Sequence, residues 1–180
     1  MTSKRILPMF AIAVALAGAG CGDDDKEQEA SATPTATQTA AEPAALTADT
    51  LPEISDDLTS EPEVPQIDAE PPTELVVKDI VKGKGKKAKP GDLLSVQYTG
   101  YALSNGQKFD ASWDRGEPLK FPVGAGQVIP GWDQGIPGMR VGGRRVLAIP
   151  GDLAYGPNGS PPVIGPDETL IFVVDLKKVG

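Results

Sequence analysis

The chain has 180 residues, no histidine, one cysteine and a formal net charge of −8. Without imidazole there is no Ser-His-Asp relay and little prospect of a zinc site, and a lone cysteine cannot close an internal disulfide. Residues 22–70 carry fourteen acidic side chains against the single basic Lys26, whereas residues 71–180 carry eleven acidic and fourteen basic ones, so the acidity belongs to the N-terminal segment and the rest gives no nucleic-acid footprint.

In chain order, residues 1–20 have the layout of a secretory signal: Lys4 and Arg5, an apolar run over 6–16, then small residues up to Cys21. The run is short for a permanent membrane span. Gly18-Ala19-Gly20-Cys21 is similar to a bacterial lipoprotein processing site, in which the cysteine is lipidated and becomes the new N-terminus. Leucine is usual where Gly18 stands, and Leu16 lies two residues further back. An ordinary signal peptide is the other reading, leaving the protein secreted or periplasmic. Residues 21–70 are read as lipidated Cys21 followed by an acidic, disordered linker, because 22–70 is Ala, Thr, Pro, Glu and Asp with few aliphatics and no aromatic. As a coil of about fifty residues it spans roughly 40 Å. Residues 51–67 as a docking peptide for another protein is the runner-up.

Residues 71–180 are read as the folded domain. Residues 75–81 (LVVKDIV) predict the first strand. Residues 83–89 (GKGKKAK) predict a solvated hairpin loop closed by a turn at Pro90-Gly91-Asp92, since they lack the Gly-Lys-Ser/Thr ending of a phosphate-binding loop. Residues 94–103 form the next strand, and Asn105-Gly106 is a strong hairpin signal before a piece holding Phe109 and Asp110. Residues 128–139 (VIPGWDQGIPGM) read as a strand end at Val128 and Ile129, a turn, and a helix with Trp132, Ile136 and Met139 at helical spacing. Pro137 limits that helix to about two turns. Arg140, Arg144 and Arg145 read as solvated strand ends around a Val-Gly-Gly turn, and residues 144–149 and 170–179 as strands. An aromatic opening so short a helix must be covered by strands from elsewhere, which gives an α+β fold with an antiparallel twisted sheet wrapped around one helix. That picture sends Tyr98, Phe109, Phe121, Val128, Ile129, Trp132, Tyr155 and Phe172 inward, concentrating most of the aromatics of the chain in one place.

These residues fall in six pieces: YTG at 98–100, FDAS at 109–112, DRGEPLKF at 114–121, VIPGWDQGI at 128–136, AYG at 154–156 and TLIFVVDL at 169–176. Together they resemble the FKBP-type peptidyl-prolyl isomerase domain over the whole of residues 71–180. The resemblance implies a shallow apolar pocket floored by Trp132 and lined by Tyr98, Phe109, Asp110, Phe121, Val128, Ile129, Tyr155 and Phe172, with Val163 and Ile164 as a flap. It implies that the Ile129 N–H and the Tyr155 hydroxyl hold carbonyl oxygens of a bound peptide. It also implies that Asp110 accepts from Tyr98 beside Arg115, and that Leu119 stands where an aromatic often lines the entrance. Trp113 and Ser160 are further departures from the commonest pattern.

The activity implied is rotation about X-Pro bonds in exported or unfolded chains, with no cofactor and no metal. Proline-containing polypeptides and macrolide inhibitors are the expected ligands, a monomer the expected state, and a lipid-anchored position outside the cytoplasm the expected location. The alternative is a proline-peptide-binding or chaperone module on the same fold with little turnover.

Overall fold

The computed structural model describes residues 44–180. The elements in chain order are β1 (Val76–Val81), β2 (Leu93–Ala102), β3 (Lys108–Ala111), β4 (Leu119–Pro122), α1 (Pro130–Gly135), β5 (Gly143–Ile149) and β6 (Leu170–Val179), with 3-10 turns at Trp113–Arg115, Gly151–Leu153 and Gly156–Asn158. All strand pairs are antiparallel, in the order β1-β5-β6-β2-β3. Both β3 and β4 pair with the same side of β2. Thr99 to Tyr101 face β3, and Leu93 to Val96 face β4. β4 was not among the strands expected from sequence, being only four residues long and sheltered beside the turn that precedes it.

Alternation along the strands puts Leu94, Val96 and Tyr98 of β2, Leu147 and Ile149 of β5, and Phe172, Val174 and Leu176 of β6 on one face. Against that face lies α1. Pro130 occupies its first turn, where a missing N–H is harmless, and the helix ends two residues before Pro137. Its glycines let it sit directly on β5: a Cβ at Gly131 would come 2.4 Å from Ile149, and one at Gly135 would come 2.7 Å from Leu147. Trp132 is thereby pressed into the core at 4% exposure. A twisted antiparallel sheet around one short helix is thus the observed architecture.

Four expectations are corrected. Residues 44–70 are not a structureless linker. They run across the opposite face of the sheet, where Leu46, Leu51 and Ile54 are buried with Val146, Ala148, Ile171 and Val173, and Val64 and Ile67 pack alongside. They contain no helix or strand, which is why their apolar residues show no period. They are held instead by carbonyls that accept from strand side chains: Ser55 and Ser60 from Arg144, Leu58 from Lys177, and Leu51 from Lys78. The apolar residues read as a docking peptide therefore dock on this chain's own sheet. Cys21, the expected signal over 1–20 and the linker portion over 22–43 lie outside the described residues.

Segment 82–92 is not a hairpin loop, because β1 and β2 are not neighbours. It crosses from one strand to the other along residues 138–141, with Ala88 N–H donating to Met139 (2.8 Å) and Val141 N–H to Lys86 (3.1 Å). The turn closing it is present, Asp92 N–H donating to Lys89 (3.1 Å). Of the three arginines expected at solvated strand ends only Arg140 is exposed. Arg144 is fully buried in a two-bonded pair with Asp175 (2.6 and 2.8 Å), and Arg145 pairs with Asp79 (2.6 Å) while capping the Gly135 carbonyl at the end of α1 (2.6 Å). Both belong to β5, whose two faces are covered. Finally, Val128 and Ile129 end a looped stretch and belong to no strand.

Candidate active site

Between α1, the β2–β3 edge and the loop before α1 lies a cavity of about 430 Å³. Its floor is the Trp132 indole, with Tyr98 edge-on at 5.0 Å, Phe172 edge-on at 5.2 Å and Phe121 tilted at 5.4 Å. Phe109 meets Phe172 at right angles (5.5 Å), so one wall is an unbroken run of ring edges and faces. Gly100, the glycine of the YTG motif, makes room for this wall. A Cβ there would lie 2.7 Å from Phe109 and 2.8 Å from Phe172. The serine of the FDAS motif has a different task, since the buried Ser112 Oγ accepts from the Tyr98 N–H (2.8 Å) and its own N–H donates to the Tyr98 carbonyl (3.0 Å). It pins β2 to the end of β3 where Tyr98 must point into the pocket.

The polar rim is a three-residue knot. The Tyr98 hydroxyl donates to Asp110, and Arg115 donates to Asp110 (2.6 Å) and to the Tyr98 hydroxyl (2.8 Å). Burial, and then the bond to Asp110, push the Tyr98 hydroxyl up to about 12, and contact with Asp110 and Tyr98 raises the Arg115 guanidinium further above its ordinary range. The carboxylate is therefore committed to two donors and does not stand free as a base. Tyr155, 42% exposed at the mouth, has its hydroxyl raised chiefly by burial. Its hydroxyl and the Ile129 N–H form no hydrogen bond among the described residues, leaving two unengaged donors on residues that line the cavity.

Of the residues predicted from sequence, Tyr98, Phe109, Asp110, Leu119, Val128, Ile129, Trp132, Tyr155 and Phe172 line the cavity together. Phe121 instead supports the indole from beneath, and Arg115 acts behind Asp110. Val163 and Ile164 are not brought to it. Val163 is 57% exposed, and Ile164 is buried in the core with its N–H and carbonyl both bonded to Ser160. Gly126 and Gln127 line it without having been anticipated. Their loop is shaped by Asp133, whose carboxylate accepts from Gly124 N–H (2.6 Å) and Gly126 N–H (2.8 Å), both glycines at positive φ. The available signal was an acidic residue in the first turn of a helix just after a glycine-rich stretch.

Among the described residues no group of three His, Cys, Asp or Glu side chains is placed to hold a metal. A cavity with apolar walls, a knotted carboxylate and two spare donors suits binding and reorienting an amide. It holds no free nucleophile or base for covalent or proton-transfer chemistry.

A family model described as FKBP-type peptidyl-prolyl cis-trans isomerase matches residues 84–177. An FK506-binding protein of Streptomyces anulatus is 57% identical over 121 residues, covering 65% of this chain and 98% of that protein. One from Neisseria meningitidis serogroup B is 50% identical over 105 residues, covering 58% of this chain and 95% of that protein. Among solved structures, AtFKBP13 superposes with a TM-score of 0.56 at 40% identity, covering 61% of this chain and 96% of that one. FkpA from Escherichia coli superposes with 0.54 at 44% identity, covering 59% and 48%. The matched segment takes in β2 to β6 with the whole indole-floored cavity, and with it the chain belongs to the FKBP-type peptidyl-prolyl cis-trans isomerases.

Proposed function

We propose that this isomerase turns X-Pro bonds of exported or unfolded chains in the Trp132-floored cavity, lowering the barrier by favouring the twisted amide. Rotation about the bond must cross about 18–20 kcal/mol because resonance holds the amide planar, and takes tens of seconds unaided. At the twist the resonance is lost and the amide is less dipolar than in its planar state. Walls made of Phe109, Phe172 and Tyr98 ring carbons therefore disfavour the planar ground state relative to the twist. About 4 kcal/mol of such differential stabilisation gives roughly a thousandfold. The pyrrolidine ring lies over the indole, while the Ile129 N–H and Tyr155 hydroxyl hold the flanking carbonyls and so keep one side of the bond still as the other turns.

The observation that carries this reading is the open apolar cavity ending on an indole with no titrating base free beside it. The signal-like sequence over 1–20 and the lipoprotein-like Cys21 support a location at the outer side of a membrane, and macrolides of the FK506 type are ligands for the same cavity. The monomeric state belongs to the same proposal. A protease-coupled assay on a proline-containing tetrapeptide tests the chemistry. Phe109→Ala is expected to lower kcat/KM by more than tenfold, and Tyr98→Phe by less, because it removes the two hydroxyl bonds to Asp110 and Arg115 and keeps the ring. Full activity in Phe109→Ala would overturn the assignment of the cavity. Mass spectrometry of the mature N-terminus tests Cys21.

A further inference from the structure

The basic residues of 71–180 divide into two sets. Lys78, Lys108, Arg115, Arg144, Arg145 and Lys177 each donate to a carboxylate or backbone carbonyl of the same fold. The five lysines of segment 82–89, together with Lys120, Arg140 and Lys178, are exposed. None of them pairs with a side-chain carboxylate among the described residues, although Lys86 donates to Gly180 (2.5 Å) and Arg140 to the Gly85 carbonyl (3.1 Å).

These unpaired cations are contiguous. Lys87 lies opposite Arg140 in a bridge, and the Lys86 ammonium reaches the Gly180 carbonyl at 2.5 Å, two residues from Lys178. Lys178 and Lys120 flank Ser95 from its two sides on β6 and β4. Leu93, 53% exposed, stands at the start of β2 in the same neighbourhood, its carbonyl accepting from the Gly180 N–H (2.7 Å). An exposed leucine thus sits among ammonium groups, on a unit whose residues 44–70 contain eight acidic side chains and no basic one.

We infer that this basic face, centred on segment 82–89 with Leu93 as its apolar contact, docks the folded unit on a bilayer surface rich in anionic phospholipid. Cations beside such a surface each add to the attraction, and an apolar side chain among them can enter the headgroup boundary. Nucleic acid fits less well. With one arginine to seven lysines the face has few of the planar forks that grip phosphates in pairs. The inference goes beyond the isomerase reading and does not depend on lipidation of Cys21.

The test is sedimentation of the full chain carrying Cys21→Ser with vesicles of phosphatidylglycerol and phosphatidylcholine, against vesicles of phosphatidylcholine alone. Partitioning onto the anionic vesicles is expected at about 50 mM salt, with a steep decline towards about 500 mM as the charges are screened. The triple variant Lys84→Gln, Lys87→Gln, Lys89→Gln should bind about 100-fold more weakly, at about fivefold per charge. Its isomerase activity and melting temperature should be unchanged, since none of these side chains touches the cavity or the core. Leu93→Ser should weaken binding without changing the salt dependence. Equal partitioning of the parent and the triple variant, or of the parent onto neutral and anionic vesicles, would overturn the inference.

Discussion

Leu51→Ala separates a packed strap from a loose tether. Leu51 is 4% exposed, in a cluster with Leu46, Ile54, Val146, Ala148, Ile171 and Val173. Truncating a buried leucine costs about 2–5 kcal/mol, the spread reflecting how far the site collapses. Residues 44–70 have no helix or sheet ladder to hold a void open, so the lower part of that range applies, about 2–3 kcal/mol. For a folded unit of this size each kcal/mol moves the melting temperature by about 3–4 °C, so a fall of about 6–12 °C is expected. In urea the midpoint should drop while the slope stays the same, because the area exposed on unfolding hardly changes. Deleting residues 44–70 should lower both: it uncovers Val146, Ala148, Ile171 and Val173 and takes the Ser55 and Ser60 carbonyls from Arg144. A Leu51→Ala unfolding free energy within about 0.5 kcal/mol of the parent, the usual range for surface substitutions, would refute the packing argument.

Asp133→Ala frees the Gly124 and Gly126 N–H groups, and the loop bearing Gly126, Gln127 and Val128 should lose its fixed shape. We expect kcat/KM to fall about tenfold, mainly through KM, with partial rescue in Asp133→Asn, which keeps one acceptor; an unchanged KM would refute a positioning role. Gly100→Ala should push the Phe109 and Phe172 rings into the cavity, lowering stability by about 1–3 kcal/mol and activity by more than tenfold, and a normal peptide affinity would contradict the wall described above. Because burial and the Asp110 bond hold the Tyr98 hydroxyl protonated up to about 12 and burial raises Tyr155 as well, kcat/KM should be flat from about pH 6 to 9, and a bell-shaped profile would refute a mechanism without proton transfer. The folded value of Tyr98 lies above its ordinary 10.0, so its contribution to stability is complete below about pH 10 and is lost as pH rises through about 12.

Much of the site is legible in the sequence because it is carried by short local patterns. VIPGWDQGI sets a helix start, a large aromatic and a stop within nine residues, and Asn105-Gly106 sets the hairpin that brings Phe109 alongside β2. What escaped depends on hydrogen bonds to backbone groups inside the loops. Gln127 lines the cavity because Asp133 folds its loop back, which a lone acidic residue after a glycine-rich stretch only hints at, and Ile164 lies in the core beside a turn in which both its backbone groups bond to Ser160. One signal was present and unread. β5 and β6 are apolar on both faces, as GRRVLAI and LIFVVDL show, whereas an antiparallel strand with one wet face alternates. Their second face required a cover.

The amino-acid order by itself determined five of the six strands, the short helix and the apolar residues gathered about Trp132, since these follow from side-chain periodicity and from where proline and glycine interrupt it. Only the tertiary structure decided that residues 44–70 supply the cover, and that Arg144 lies buried against Asp175 while segment 82–89 keeps its charges outside. Those outcomes turn on which surfaces meet, and a segment without secondary structure acquires its order from the face it covers.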